Sequence, residues 1–221
     1  GGAQYIGGTG FQPNLVWLKN RTDTKYHLVL DSIRGTSGFL TSNDTMAEAT
    51  EAHILSLDLD GFTVDDIDTG TSNESGDNYV AWCWDMGGSN ASLTAGSINS
   101  TVRANPTYGQ SIVSYTANGT AGATVAHGLS SAPELIIVKG RNRVEDWGVG
   151  HTSLGWTKFI RLNTTGAEAT ATSLWNDTAP SNTLVTLGDS GIANNSSSTT
   201  MIMYCFHSVT GYSKFGSYQA N

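Results

Sequence analysis

Charge is what this chain has least of: 14% of its 221 residues are Asp, Glu, Lys or Arg, against about 25% in an ordinary globular domain. The balance is acidic, with 11 Lys and Arg against 19 Asp and Glu. No basic run exists, which argues against nucleic-acid binding by counterion release and disfavours anionic membrane surfaces. No apolar run approaches the ~18 residues of a membrane-spanning helix, so no membrane insertion is expected. No secretory leader is visible either. The chain opens Gly1-Gly2 rather than Met, which reads as processing, trimming or an excerpt. Phosphate-loop and dinucleotide glycine patterns are missing. The five His (27, 53, 127, 151 and 207) never take the HxH or HxxxH spacing of a metal site. Neither a cofactor nor a metal is expected.

Gly, Ser, Thr and Asn fill the space that charge leaves, a mix suited to short strands joined by many turns. Six Trp, eight Tyr and six Phe supply too much apolar area for a disordered chain. An all-β, folded protein is expected.

Self-similarity then organises the chain. NDTMAEAT (43–50) and NTTGAEAT (163–170) differ only at Asp44/Thr164 and Met46/Gly166. At the same offset of 120 (Asn43 to Asn163), FQPNLVWLKNR (11–21) lies over SAPELIIVKGR (131–141), Gly35 over Gly155 and Phe39 over Phe159. At an offset of 122, YVAWCW (79–84) lies over MIMYCF (201–206). GQSIVSYTAN (109–118) resembles GYSKFGSYQAN (211–221) with one residue inserted. The pattern predicts two tandem β-sandwich modules of jelly-roll or lectin-like type, at 1–95 and 96–221. The first lacks most of its opening, and the tail reads as the start of a third unit or as a segment that folds back on the first.

Alternation predicts strands at LVWLK, ELIIVK and KYHLVLD, and a hairpin over ILSLDLDGFTV with Leu55, Leu57 and Leu59 on one face, turning at Asp60-Gly61. YVAWCW and MIMYCF are apolar on both faces, so each is expected to be a central, doubly covered strand. The polar stretch 87–109 reads as the boundary between modules.

Few motifs point to chemistry. Cys83 and Cys205 fall in equivalent places of different units, which reads as two free thiols rather than a disulfide. GDSG (188–191) lacks the His motif and flanking residues of a serine protease; it reads as a turn equivalent to Asp60-Gly61. Ser56, Asp58, Asp60 and Gly61 space like an EF-hand start, but the twelfth position is Ile67 rather than a carboxylate. Asp65, Asp66 and Asp68 are a candidate for a loosely held Ca²⁺. Glu48 and Glu168, in different units, make a poor glycosidase pair, and no catalytic residue is assigned.

Asn43, Thr45 and Glu48, with Asn163, Thr165 and Glu168, are expected to maintain the fold: Asn and Thr can bind neighbouring backbone and fix a turn. Trp147, Trp156 and Trp175 have no Trp counterparts in the first unit. They are the candidate ligand-binding residues, as flat apolar faces on which a sugar can stack, with core packing as the alternative.

Taken together, Pro-x-aliphatic strand-Lys-x-Arg, N-x-T-x-A-E-x-T, D-G-F and Y-V-A-W-C-W resemble a tandemly repeated domain of unknown function. It is found in structural and tail-fibre proteins of marine phages of the cyanophage type. SIVSYTANGTAGATVAHGLSSAPELIIVK (111–139) is similar to its opening and YCFHSVTGYSKFGSY (204–218) to its junction with a next copy. The resemblance implies a non-enzymatic virion protein, in a tail fibre or surface appendage on the particle exterior. Its expected partners are other virion proteins and further copies of itself, with host-surface glycans as candidate ligands. The alternatives are a capsid decoration protein and a carbohydrate-degrading tail enzyme, which would show two carboxylates converging in one cleft.

Overall fold

A computed structural model describes residues 2–65, 70–194 and 198–221. The chain is all-β and divides into two compact units, Gly1–Met86 and Gly87–Asn221. In the first unit, β1 (Gln4–Gly7), β6 (Gly61–Val64) and β5 (Ile54–Asp58) form one sheet in that order. β4 (Gly35–Thr41), β3 (Leu28–Asp31), β2 (Leu15–Asn20) and β7 (Tyr79–Trp84) form the other. The two sheets bury Val16, Leu18, Leu28 and Leu30 of one against Ile54, Phe62 and Val64 of the other, the alternating inward residues of a β-sandwich.

The second unit begins with β8 (Ala91–Leu93), β9 (Ser100–Asn105), β10 (Gln110–Thr116) and β11 (Ala123–Ala126). It continues with β12 (Leu135–Gly140), β13 (Gly148–His151), β14 (Lys158–Arg161), β15 (Ala169–Thr170), the one-turn α1 (Thr172–Trp175), β16 (Leu184–Leu187) and β17 (Thr200–Phe206). One large sheet runs β15-β14-β13-β12-β17-β10-β9-β8, and β11 pairs with β16. Val113, Ile136, Val138 and Met203 of the large sheet pack on Val125, Val185 and Leu187 of the small one.

The two units share strand order and register where their sequences match. Leu15 pairs with Trp84 and Lys19 with Val80 across β2 and β7; Leu135 pairs with Phe206 and Lys139 with Ile202 across β12 and β17. Gln4 to Gly7 run opposite Val64 to Gly61, and Ala123 to Ala126 opposite Leu187 to Leu184.

Several expectations are corrected here. The stretch 87–109 is not a linker: β8 and β9 extend the large sheet through β10, so the division falls at Met86/Gly87 rather than near residue 95. The leucine face of the β5–β6 hairpin does not form the core. A register shift between Ile54 and Ser56 turns Ile54 inward, while Leu59 sits in the turn at 86% exposed. GDSG lies after β16, whereas Asp60 precedes β6, so the two are not equivalent. Ser190 N donates to Ser173 O at 2.9 Å and Asn194 N to Ser190 O at 2.8 Å, which is turn geometry. Finally, β17 is central and buried as expected, but β7 is not: it closes its sheet at an edge, with every side chain at least partly exposed.

Candidate functional site

The residues common to both units are engaged with backbone. Asn43 Oδ1 accepts from His27 N at 2.8 Å and Asn163 Oδ1 accepts from Trp147 N at 2.9 Å, so each ties its turn to the start of the neighbouring strand. Ala49 exchanges both backbone hydrogen bonds with Phe39, and Ala169 pairs with Phe159. Thr45 and Thr165 follow the turn. The glutamates differ. Glu48 Oε1 accepts from Arg34 Nη1 at 2.8 Å inside a nearly buried cluster completed by Asp31, whereas Glu168 pairs with Lys158 near solvent. The strand lysines also do the same work: Lys19 Nζ donates to the carbonyls of Asn20 and Asp23, and Lys139 Nζ to that of Arg143.

Trp147 and Trp175 are 1% and 0% exposed, so they present no face to a ligand. Trp156 is half-buried and meets Trp175 edge-to-face at 5.8 Å. A stacking surface is therefore not found at these tryptophans. The cause lies in β13. Where the first unit has Leu28 and Leu30, the second has Gly148 and Gly150 at the same register positions opposite the central strand. A Cβ on Gly150 would meet the Trp156 ring at 2.7 Å and that of Trp175 at 2.9 Å; one on Gly148 would meet Ile192 at 2.6 Å. The large rings fill the volume that the leucines fill in the first unit.

An exposed tryptophan lies instead in the first unit. Trp17 on β2 stands directly opposite Trp82 on β7, with ring centroids 6.2 Å apart in an edge-to-face arrangement. Its Nε1 donates to His27 Nδ1 at 3.1 Å. Trp82 and Tyr26 are each 46% exposed. From Trp17 the contact runs on to His27, which with Lys19, Asp23, Lys25, Tyr26 and Asn43 lines a shallow depression of ≈ 530 Å³. Flat apolar rings next to amide, carboxylate and ammonium groups are the inventory of a polar-ligand surface. Burial and the nearby Lys19 ammonium push His27 below the ordinary histidine value. Nothing local in the sequence marks Trp17 and Trp82: each sits in an apolar strand 65 residues from the other, and their opposition comes from the pairing of β2 with β7.

A second cleft, of ≈ 510 Å³, opens between the sheets of the first unit, lined among others by Leu18, Phe62, Ala81, Ser72, Glu74 and Asp77. Ser72 Oγ lies 3.1 Å from His53 Nδ1, and Glu51 lies 3.5 Å from His53 Nε2. The grouping resembles a nucleophile with its base, but Ser72 Oγ donates to Asp65 O at 2.9 Å. The hydroxyl proton is therefore committed, and Ser72 receives from the imidazole instead. Asp77 Oδ2 accepts from Asn20 Nδ2 at 2.7 Å.

Burial lowers the pKa of His53, with Glu51 opposing in part, and lowers that of His127. His127 Nδ1 accepts from Leu129 N at 3.2 Å while Nε2 faces Ser181 O at 3.2 Å, so a second ring proton would confront an N–H. The unfolded chain binds these protons at about pH 6.5 and the folded chain only below it. Stability is thus complete above about pH 6.5 and falls as pH drops below it, by at most about 1.4 kcal/mol per pH unit per histidine. Thermal unfolding followed from pH 8 to 5 should show a flat region, then a decline that His127→Gln reduces.

Cys83 and Cys205 are free; burial raises the Cys83 thiol to about 11 and raises Cys205 as well, which makes both poor nucleophiles. Of the acidic cluster, Asp66 and Asp68 lie outside the described residues. Among the described residues no three His, Cys, Asp or Glu side chains converge as a metal site, and no helix is long and apolar enough to cross a membrane.

No curated protein and no solved structure matches the chain. Over residues 1–221 it matches one family from end to end, and on that ground the chain belongs to the domain of unknown function DUF7483.

Proposed function

We propose that this is a non-enzymatic structural and binding module of a viral particle, of the tail-fibre or surface-appendage kind, and that its ligand is a host-surface glycan. The observation that carries the reading is the exposed Tyr26 in the depression that Asp23, Lys25 and Asn43 also line, with the exposed Trp82 joined to that lining through Trp17 and His27. A pyranose has one apolar face and a rim of hydroxyls. Rings and hydrogen-bonding side chains set side by side suit both at once. Support for the particle comes from the likeness to phage tail-fibre domains and from a surface poor in charge.

A glycan array followed by titration on tryptophan fluorescence tests the ligand. Trp82→Ala should weaken binding about 30-fold, the effect of losing a hot-spot aromatic worth ~2 kcal/mol. An intact chain that binds no glycan, or a Trp82→Ala chain that binds as well as the parent, sinks the reading. Antibody label on the surface of purified particles tests the location, and label confined to host cells refutes it.

A carbohydrate-degrading enzyme is the second reading, favoured by Glu74 and Asp77 lining one cleft. It requires polysaccharide cleavage that disappears in both Glu74→Gln and Asp77→Asn.

A further inference from the structure

Asn43 and Asn163 are anchored alike and finished differently. Asn43 Oδ1 accepts from His27 N at 2.8 Å and Asn163 Oδ1 from Trp147 N at 2.9 Å. In the second unit the other end of the amide meets a carboxylate. Asn163 Nδ2 donates to Asp146 Oδ1 at 2.9 Å, and Arg161 Nε donates to Asp146 Oδ2 at 2.6 Å. One amide and one cation thus hold both oxygens of a planar carboxylate, a charge-assisted arrangement.

The first unit keeps the amide and lacks the carboxylate. At the offset of 120, Tyr26 stands for Asp146, Thr41 for Arg161 and Lys25 for Glu145. Trp17 Nε1 donates to His27 Nδ1 at 3.1 Å, so the imidazole proton sits on Nε2. Among the described residues, Asn43 Nδ2, His27 Nε2 and Lys25 Nζ have no acceptor. All three residues line the ≈ 530 Å³ depression. Lys19, in the same lining, is engaged by the carbonyls of Asn20 and Asp23. The lining holds two ammonium groups, of Lys19 and Lys25, and one carboxylate, of Asp23.

An amide N–H, an imidazole N–H and an ammonium call for a ligand that accepts several hydrogen bonds and carries negative charge. A neutral hydroxyl takes one or two of these bonds and leaves the ammonium without a counter-charge. Tyr26, 46% exposed, adds a flat apolar face. In a hexuronic acid the carboxylate stands on C5 at the rim of the pyranose, so a ring laid on Tyr26 carries its carboxylate sideways. An acidic peptide has no such ring to lay there. A sulfate ester offers a tetrahedron of oxygens, where the second unit holds a planar pair. The acidic balance of the whole chain opposes such a ligand at long range, but at about 0.15 M salt exposed charges more than ~8 Å apart are largely screened.

We propose that the depression takes an acidic glycan by the carboxylate of a uronic-acid residue, with Asn43 Nδ2, His27 Nε2 and Lys25 Nζ as donors and Tyr26 under the apolar face of the sugar. The ligand's carboxylate plays toward Asn43 the part that Asp146 plays toward Asn163. The inference rests on the glycan reading and narrows it to charged sugars. It also assigns the binding to the first unit, since in the second the equivalent amide is already satisfied from within the chain.

Calorimetric titration of the intact chain with oligosaccharides of glucuronate, galacturonate and mannuronate tests it. Each is paired with the same oligosaccharide after reduction of its carboxyls to alcohols, and oligoglutamate of equal charge serves as the acidic peptide. At least one oligouronate should bind saturably, and its reduced form at least about tenfold more weakly, a loss of ~1.4 kcal/mol. Oligoglutamate should bind more weakly than that oligouronate. Asn43→Asp keeps an oxygen for His27 N but sets a charge where the amide donated, and Lys25→Met removes the ammonium. Each should weaken the oligouronate about tenfold and leave any binding of the reduced sugar unchanged, which a merely misfolded variant would not do. Reduced sugars that bind as tightly as the acids, or acid binding that neither variant weakens, overturn the inference and leave the glycan reading standing. Oligoglutamate that binds as tightly as the sugars overturns it in favour of a peptide ligand. A chain that binds neither acidic nor neutral sugars overturns both readings together.

Discussion

Arg34→Met is expected to lower the unfolding temperature of the first unit by roughly 15–30 °C, from a loss of about 3–5 kcal/mol. The Arg34 side chain is 0% exposed and has a partner on each hand: Nε donates to Asp31 Oδ2 at 2.6 Å, Nη1 to Glu48 Oε1 at 2.8 Å and Nη2 to Val29 O at 2.8 Å. Removing the guanidinium leaves the Asp31 carboxylate, equally buried, without its counter-charge. An unpaired buried charge costs far more than the pair contributes. Asp31→Asn in the same chain should recover part of the loss. It removes the charge yet keeps an oxygen to accept from Ile33 N and Arg34 N, both at 3.0 Å. Calorimetry on the two variants decides the matter: a single substitution that shifts the transition by only a degree or two would show that water or another group compensates Asp31. The same glutamate of the other octet offers a control. Glu168 is half exposed beside Lys158, and Glu168→Gln should stay within ~0.5 kcal/mol of the parent. The same glutamate in two octets thus carries very different energy, because burial rather than identity sets the worth of a charge pair.

That contrast also marks how far the sequence could be read. Alternation located β2, β7, β12 and β17, and the octets named the two asparagines that tie turn to strand, but not their partners His27 N and Trp147 N, each 16 residues upstream. Neighbourhood across the sheet did not show. YVAWCW and MIMYCF look alike, since an apolar strand covered on both faces and one lying at an open edge have the same composition; only the presence of β10 distinguishes them. The leucines at 55, 57 and 59 alternate faithfully, but the register shift between Ile54 and Ser56 moves the inward position by one. The polar composition of 87–109 hid β8 and β9, which run on into β10 as consecutive antiparallel strands with few apolar residues of their own. As for the candidate site, composition names the tryptophans but not which of them face solvent, which is decided by the strand beneath. Gly148 and Gly150 in GVGH were the legible signal: a core strand that loses two leucines must recover their volume from elsewhere.

That exchange of volume predicts the other large effect. Trp175→Ala should destabilise the second unit by about 3–5 kcal/mol and leave the proposed glycan binding at Trp82 unchanged. Trp175 lies fully buried on the last residue of α1, at a turn where Asn176 and Asp177 take positive φ of 51° and 48°. Thr178 N donates to its carbonyl at 3.0 Å, so the indole is held over Gly150 by the backbone on both sides of it. Truncation leaves a cavity that Trp156 borders on one side, while Leu174 already packs over Gly148. Gly150→Leu alone should also destabilise, because its side chain would begin 2.7 Å from Trp156 and 2.9 Å from Trp175. The two changes together restore the arrangement of β3, where Leu30 occupies this position, and the double variant should be more stable than Trp175→Ala alone. A double-mutant cycle measures this directly as a favourable coupling of at least about 1 kcal/mol. Strict additivity would mean that leucine and indole do not compete for the same volume, and that the tryptophans of the second unit are there for a reason other than packing.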